Sequence, residues 1–206
     1  LSIAGPNSRK VLEKIVRDNV SNEKFKFRDS RKMFVGGVPA IINRISFTGE
    51  LGYEIYVAPH YQLKLYEELM EAGKEFNIKP FGGRALMSMR LEKNWGAWTL
   101  DYRPDFTAKE TGLDAFINWD KEFIGKESAQ KENSSNKLVP LIVETNEIDV
   151  TNNEAVLNGD QSIGYVTSGG FAHFVNKSVA FTFVDQKNIK SENKIQVEIN
   201  GDLFNC

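Results

Sequence analysis

The spacing of apolar residues changes near residue 135, and this change limits the folds that the chain can adopt. Before it, helix-like spacing, as in residues 60–76, alternates with strand-like spacing, as in residues 33–45. After it, short apolar runs are separated only by turn signals. We therefore predict an α+β region over residues 1–135, followed by an all-β barrel or sandwich over residues 136–206.

Several turn and boundary signals support this division. Gly36-Gly37 is predicted to close a hairpin between two apolar runs, and Asn158-Gly159 and Asn200-Gly201 are predicted to close two more in the all-β region. A helix that contains Ala85 and Met89 is predicted to end near Glu92. The polar segment 128–137 is the best candidate for a linker.

Charge and cysteine content exclude several classes of function. The net charge is −2 and the pI is about 5.8, so no basic face is predicted and nucleic acid is not expected as a partner. Cys206 is the only cysteine, which excludes an internal disulfide framework and a cysteine-based zinc site. His60 and His173 are isolated, so no metal site is predicted. No apolar run approaches the roughly 20 residues of a membrane helix, and no membrane partner is expected.

The chain starts at Leu1 rather than at a methionine and proceeds directly into an ordered-looking segment. It has neither the charged region nor the apolar region of a signal peptide. We therefore expect it to be a fragment that begins inside a larger protein.

The densest polar constellation lies in residues 44–57, where Gly49 and Gly52 flank a tight connection between two predicted strands. Glu54 lies on the second strand, on the side opposite to Tyr53. A carboxylate in this position can accept two parallel hydrogen bonds from a planar, N–H-rich ligand. The alternative interpretation is a hairpin with acidic side chains that face solvent.

Other polar or aromatic residues favour structural roles. Arg90 is expected to pair with a nearby acid, and Glu92 is expected to cap a loop. The glycine-rich residues 164–170 lack the lysine and the helix of a phosphate-binding loop, and are predicted to form a strand and a bulged turn. Trp95 and Trp98 either line an apolar pocket or fill a core.

Five segments of the chain occur in the order that one protein family shows: IAGPNSRKVLEKI (3–15), RISFTGELGYEIYV (44–57), ALMSMRLEKNWGAW (85–98), TAKETGLDAFINWDKEFIGKESA (107–129) and IGYVTSGGFAHFVNKSVAFTFV (163–184). Through these segments the chain resembles the folate-binding aminomethyltransferase family, which comprises the glycine-cleavage T-protein and its relatives. Residues 85–98 and 166–178 are most similar to the C-terminal folate-binding region of dimethylglycine and sarcosine dehydrogenases.

The resemblance implies an antiparallel sheet with packed helices, followed by a small C-terminal β-barrel. It also implies that the chain binds tetrahydrofolate. In the dehydrogenases, an N-terminal FAD domain oxidises an N-methyl amine to an iminium, and the folate region captures the one-carbon unit as 5,10-methylenetetrahydrofolate. The implied partners are therefore folate, a methylated amine and an upstream FAD domain. The implied location is the bacterial cytoplasm or the mitochondrial matrix.

The family's functional residues carry over only in part. The glutamate that holds the pterin ring matches Glu54, and a tyrosine of the same motif falls on Phe47, which keeps the ring but lacks the hydroxyl. An aromatic residue near the pocket mouth matches Trp95, whereas an arginine that contacts the ligand falls on Leu86. The family's catalytic aspartate lies upstream of Leu1, so the resemblance assigns no catalytic residue to this chain and implies that the fragment alone turns over no substrate.

Two further hypotheses remain open. The chain is either part of a stand-alone aminomethyltransferase or related folate-dependent demethylase, or a non-catalytic folate-binding module with the same fold. A dinucleotide-binding fingerprint upstream would favour the dehydrogenase-like hypothesis, and a start methionine within about 150 residues would favour a stand-alone enzyme.

Overall fold

The computed structural model describes residues 1–145, 147–189 and 194–206. Its chain divides into two compact units, Leu1–Leu86 and Met87–Cys206, which are described separately below. The division after Leu86 does not coincide with the domain boundary predicted near residue 135, which stays a prediction.

The first unit is built on a four-stranded antiparallel sheet in the order β1-β4-β3-β2. Gly36 and Gly37 form the tight turn between β2 and β3, and both have the positive φ angles that glycine adopts without steric cost. The hairpin predicted at this position is therefore confirmed. The strands are β1 (Ser2–Ala4), β2 (Ser30–Val35), β3 (Val38–Asn43) and β4 (Gly52–Tyr56).

Two helices cover one face of this sheet because their apolar residues recur at helical spacing. They are α1 (Ser8–Ile15) and α2 (Gln62–Gly73), and α2 is flanked by 3-10 turns at Pro59–Tyr61 and Lys74–Phe76. The opposite face carries no helix of this unit, and we call it the outer face. The shared core contains Val11, Leu12, Leu65 and Leu69 from the helices and Ile3, Val35, Ile42, Tyr53 and Ile55 from the strands.

A third helix, α3 (Gly83–Glu92), ends at the residue predicted from its spacing and runs across the boundary between the units. The segment after it contains a 3-10 turn at Asp114–Phe116 and a short helix, α4 (Lys126–Lys131). The first residues of the predicted linker 128–137 are thus helical, and its last two belong to the next strand.

The second unit contains a six-stranded antiparallel sheet in the order β10-β9-β6-β7-β8-β5. A backbone hydrogen bond of 2.8 Å from Glu144 N to Asn205 O joins the two outermost strands and curls the sheet toward a barrel. A 3-10 turn at Gln186–Asn188 follows β8. The strands are β5 (Asn136–Val143), β6 (Ala155–Asn158), β7 (Gln161–Ala172), β8 (Lys177–Asp185), β9 (Ile195–Ile199) and β10 (Asp202–Asn205).

Both hairpins predicted in the all-β region are present, but the loop of one of them is shifted by one residue. Asn200-Gly201 is a two-residue loop, because Ile199 pairs with Asp202 and both loop residues have positive φ. At the first turn, Asn158 still pairs with Gln161, so the loop is Gly159-Asp160 rather than Asn158-Gly159. The predicted α+β fold with an antiparallel sheet, packed helices and a C-terminal barrel is confirmed.

Close backbone packing at Gly164 generates a stability prediction. A Cβ atom there would lie 2.0 Å from the Phe183 carbonyl oxygen, whereas one at Gly170 on the same strand would meet only Leu91 Cδ1 at 3.5 Å. We expect Gly164→Ala to lower the free energy of unfolding by at least about 2 kcal/mol, because backbone must move. Gly170→Ala is the matched control. Urea denaturation that shows equal effects for the two variants would contradict the close approach.

Candidate functional site

Glu54 lies on the outer face of the first unit because of strict alternation along β4. Its neighbours Tyr53 and Ile55 are almost completely buried in the core, so the side chain between them points to the opposite face. Glu54 is half-buried there, and its Cα partners are Ser2 on β1 and Asn43 on β3. The structure thus confirms the side of the strand on which the sequence places this carboxylate.

Tyr56, two residues further along the same face, holds the Glu54 side chain. Its hydroxyl donates a hydrogen bond of 2.5 Å to Oε2 of Glu54. This hydrogen bond and the negative charge of Glu54 raise the pKa of the Tyr56 hydroxyl above its ordinary value, at which a phenol is already protonated at neutral pH. In the described part of the chain, no protein donor reaches the other oxygen, Oε1. The carboxylate is therefore oriented but still able to accept hydrogen bonds from a ligand.

Phe47 lies in the connection between β3 and β4 and is half-buried. The connection is tight: the Ser46 and Thr48 hydroxyls are 3.0 Å apart, and a Cβ at Gly52 would lie 2.8 Å from that of Ser46. Phe47 is therefore held in a well-packed connection. No hydrogen bond or ring contact among the described residues joins Phe47 directly to Glu54.

Trp95 belongs to the second unit, where it follows α3 directly. Its ring, about one third exposed, makes edge-on contacts with Tyr102 and Phe116 at centroid distances of 5.8 Å and 6.0 Å. These rings line a small cleft of about 210 Å³ together with Leu138. Trp98 is 77% exposed. Trp95 is therefore an accessible aromatic surface with a fixed orientation.

Leu86, on α3, lines a cleft of about 620 Å³ in the first unit. The cleft is mainly apolar and includes Ile3, Leu69 and Ile78. The leucine is therefore suited to an apolar surrounding in which a guanidinium would lose its hydration.

Asp101 is a completely buried acid of the second unit, and sequence reasoning did not single it out. Arg90 Nη1 lies 2.6 Å from Asp101 Oδ2, and both side chains are at most 1% exposed. Ala97 N donates to the same oxygen at 2.8 Å. The predicted structural role of Arg90 as the partner of a nearby acid is confirmed, and so is that of Glu92, which accepts a hydrogen bond of 2.7 Å from Phe174 N.

A bulge in β7 supplies the remaining donors to Asp101. The register with β8 shifts between Val166 and Ser168, so the adjacent residues Thr167 and Ser168 both direct their hydroxyls to Oδ1 of Asp101, at 2.5 Å and 2.6 Å. Adjacent residues of a regular strand would point to opposite faces. The strand and the bulge predicted at residues 164–170 are confirmed, but the predicted turn is wrong, because β7 runs without interruption from Gln161 to Ala172. The bulge completes the Asp101 site.

The electrostatics of Arg90 reflect its burial. Burial lowers its pKa, and the charge and hydrogen bond of Asp101 oppose that effect. Its guanidinium also lies 5.3 Å from the ring centroid of Phe181, and its Nη1 donates to the Trp95 carbonyl oxygen at 3.2 Å. The ion pair therefore also fixes the backbone that carries Trp95.

Glu110 forms a second polar cluster, which links the long connection to the start of the barrel. Its Oε2 accepts from Thr107 N at 2.9 Å, its Oε1 accepts from the Ser134 hydroxyl at 2.5 Å, and its carbonyl oxygen accepts from Leu138 N at 2.8 Å. Burial acts to raise the pKa of this carboxyl, but the hydrogen bonds from Ser134 and Thr107 outweigh burial, so that the pKa is lowered.

The described residues contain neither a cluster of metal ligands nor a helix that could span a membrane. Within residues 1–145, 147–189 and 194–206, no three His, Cys, Asp or Glu side chains converge in a way that could hold a metal ion. None of the helices in the described part of the chain has both the length and the apolar character needed to cross a bilayer.

Comparison with known proteins gives matches over nearly the whole chain. Residues 1–121 match the family model described as the GCVT N-terminal domain, and residues 136–206 match that of the glycine cleavage T-protein C-terminal barrel domain. Human mitochondrial dimethylglycine dehydrogenase is 34% identical over 99% of this chain, which corresponds to 24% of that protein. The aminomethyltransferase of Caldanaerobacter subterraneus subsp. tengcongensis is 34% identical over 98% of this chain and 54% of that protein.

A solved structure has the same fold. The aminomethyltransferase T of the glycine cleavage system from Bartonella henselae superposes with a TM-score of 0.84 and 22% sequence identity. The match covers 99% of this chain and 56% of that structure. The chain therefore spans about half the length of the aminomethyltransferases and about a quarter of the dehydrogenase.

The buried ion pair predicts a large stability effect. Asp101→Asn should lower the free energy of unfolding by about 3–5 kcal/mol, because it leaves the buried Arg90 charge without a counter-charge. Asp105→Asn is the matched control, since Asp105 pairs with Arg103 at 2.9 Å on the surface and should have little effect. Urea denaturation measures both variants, and similar midpoints for Asp101→Asn and the unmodified protein would contradict the assignment.

The lowered pKa of Glu110 predicts a pH dependence of stability. The ionised carboxylate stabilises the fold above its unfolded-state pKa, and that contribution is lost as the pH falls through the lower folded-state value. Unfolding in urea at about pH 6 and about pH 3.5 should therefore show a smaller acid destabilisation for Glu110→Gln than for the unmodified protein. Glu198→Gln, at an exposed strand position, controls for the loss of one negative charge. Parallel losses in all three proteins would refute the prediction.

Proposed function

The chain belongs to the glycine-cleavage T-protein (aminomethyltransferase) family, and from this membership we propose that it is the tetrahydrofolate-binding region of a protein that demethylates an amine. In this proposal the region receives a one-carbon unit from an N-methyl amine and yields 5,10-methylenetetrahydrofolate. The observation that carries the proposal is the Glu54 carboxylate, which Tyr56 orients through one oxygen while the other oxygen is open.

The proposed role of Glu54 is to hold the pterin ring. A pterin presents adjacent N–H donors along one planar edge, and a carboxylate accepts two parallel hydrogen bonds from such an edge. Each carboxylate oxygen has two lone pairs, so the hydrogen bond from Tyr56 leaves enough acceptor capacity for both contacts. The residue types on this face therefore fit the ligand.

Phe47 and Trp95 are proposed to contribute aromatic surface to folate binding. Phe47 offers a ring without a hydroxyl and is held in a tight connection, and Trp95 offers a partly exposed ring held by its neighbours. Leu86 cannot contact polar groups of the ligand, which favours a dehydrogenase-like function over glycine cleavage.

In the proposed reaction, the protein mainly positions the reactants. A folate nitrogen is the nucleophile. When the protein orients this nitrogen toward the one-carbon unit, a bimolecular reaction becomes effectively unimolecular. FAD, held outside these residues, would supply the oxidation of the amine to an iminium. No catalytic residue is assigned within the chain. We place the reaction in the bacterial cytoplasm or the mitochondrial matrix.

A stand-alone aminomethyltransferase is the second candidate function. It is favoured by the match to bacterial aminomethyltransferases, which extends over 98% of this chain. The two candidates differ in their one-carbon donor, so the full-length protein can be supplied with tetrahydrofolate and either dimethylglycine or an aminomethylated lipoyl carrier. Product formation only with the lipoyl carrier would replace the first proposal by the second. Folate binding without turnover of either donor would indicate a non-catalytic folate-binding module.

The assignment of Glu54 predicts a binding defect. In the full-length protein, Glu54→Gln should weaken tetrahydrofolate binding by about 1–3 kcal/mol, or roughly 5- to 150-fold in Kd, because an amide cannot accept both hydrogen bonds. Isothermal titration calorimetry measures this change directly.

Glu50→Gln provides the matched control, because Glu50 lies in the same segment but is exposed outside the strand. It should bind tetrahydrofolate as the unmodified protein does. An unchanged affinity of the Glu54→Gln variant for tetrahydrofolate would contradict the role of Glu54 in binding the pterin ring.

A further inference from the structure

Both members of the buried ion pair also bind the backbone of residues 95–97. Arg90 Nη1 donates to the Trp95 carbonyl oxygen at 3.2 Å, and the Arg90 carbonyl oxygen accepts from Trp95 N at 3.1 Å. Asp101 Oδ2 accepts from Ala97 N at 2.8 Å. The backbone that carries the Trp95 ring is therefore fixed by Arg90 at its first residue and by Asp101 at its third.

Tyr102 holds the Trp95 ring itself. The two rings meet edge-on at a centroid distance of 5.8 Å, and the Tyr102 hydroxyl accepts a hydrogen bond from Gly96 N at 3.0 Å. Tyr102 follows Asp101 directly in the chain, so a displacement of Asp101 also displaces Tyr102. The direction of the indole ring thus depends on Asp101 both through the backbone and through a neighbouring ring.

The barrel strand β7 holds Asp101 through the other carboxylate oxygen. In the described part of the chain, Oδ1 accepts from the hydroxyls of Thr167 and Ser168, at 2.5 Å and 2.6 Å. The Thr167 hydroxyl also lies 3.1 Å from the Phe181 carbonyl oxygen, so its one proton is shared between two acceptors. The Ser168 hydroxyl directs its proton to Asp101 and is therefore the more direct anchor.

The guanidinium of Arg90 transmits the position of Asp101 to Trp95. Its Nη1 atom contacts both the Asp101 carboxylate and the Trp95 carbonyl oxygen, whereas its Nε atom has no hydrogen-bond partner among the described residues. Because Nε supplies no hydrogen bond, the hydrogen-bonded alignment of the guanidinium depends on the carboxylate. The hydrogen bonds of a buried network strengthen one another, so a change at one end is felt at the other.

We infer that Ser168 and Thr167 are positioning residues for Trp95: they hold its ring in the orientation that binds the ligand, without contacting the ligand themselves. They act through Asp101 and Arg90. This inference rests on the proposed function, in which Trp95 contributes aromatic surface to folate binding. It extends the determinants of binding from one aromatic side chain to two buried hydroxyls of the barrel.

A double-mutant cycle on the full-length protein tests the inference, with tetrahydrofolate affinity measured by calorimetry. Ser168→Ala should weaken binding by about three- to tenfold, because it releases Asp101. In a Trp95→Leu background, which itself binds more weakly, the same substitution should have no further effect, since the ring is gone. Ser178→Ala is the matched control, because Ser178 is 1% exposed and its hydroxyl donates to the Thr145 carbonyl oxygen at 3.1 Å. It should leave the affinity within about twofold.

A second measurement does not depend on folate. Incorporation of 5-fluorotryptophan gives each indole a fluorine NMR resonance, and the resonance of Trp95 is the one that disappears in Trp95→Leu. Without ligand, Ser168→Ala should shift or broaden this resonance, because the ring loses its fixed orientation, whereas Ser178→Ala should leave it in place. An unchanged Trp95 resonance in Ser168→Ala would overturn the inference.

The remaining outcomes separate this inference from the proposed function. If Trp95→Leu weakens binding but Ser168→Ala acts equally in both backgrounds, or not at all, the inference is overturned and the role of Trp95 is retained. If Trp95→Leu leaves the affinity unchanged, the role of Trp95 in folate binding fails, and the inference fails with it. Equal losses in Ser168→Ala and Ser178→Ala also overturn the inference. Circular dichroism melting of each variant excludes loss of folding as the cause.

Discussion

The order of the second unit depends on the ion pair and the hydrogen bonds of the buried Asp101 carboxylate. This carboxylate receives donors from α3, from the segment that carries Trp95 and from two adjacent hydroxyls of β7. A buried charge is tolerated only when it is paired and its polar atoms are satisfied. The Asp101 carboxylate meets both conditions, whereas Nε of Arg90 has no hydrogen-bond partner among the described residues. The segment from Arg90 to Asp101 and the distant strand β7 therefore have to assemble together.

In the first unit, the two faces of the sheet carry different kinds of side chain. One face is dry and packed by α1 and α2, and the other carries Glu54, Tyr56, Lys32 and a strip of exposed apolar side chains. The helices fix the sheet without covering the outer face. The unit thus combines a rigid scaffold with an accessible polar and aromatic surface, which is the arrangement that ligand binding requires.

The sequence predicts what depends on local pattern and misses what depends on distant contacts. Alternation along β4 predicts the direction of Glu54, and Gly36-Gly37 predicts the hairpin, since both signals are complete within a few residues. Asp101 carries no such signal, because its hydroxyl partners lie 66 and 67 residues away and one of them points inward only through a bulge. The sequence predicts that Arg90 pairs with an acid, but only the structure identifies that acid as Asp101.

The hydrogen bond between Tyr56 and Glu54 has a consequence for the tautomer of a ligand. Because the phenol directs its proton to Oε2 of Glu54, the pair offers a ligand only acceptor lone pairs at its open edge. A heterocycle in its lactam form presents a ring N–H beside an amino group and satisfies this edge. The lactim form of the same ring presents a lone pair there and is repelled, so the edge distinguishes two forms of one molecule that differ only in the position of a proton.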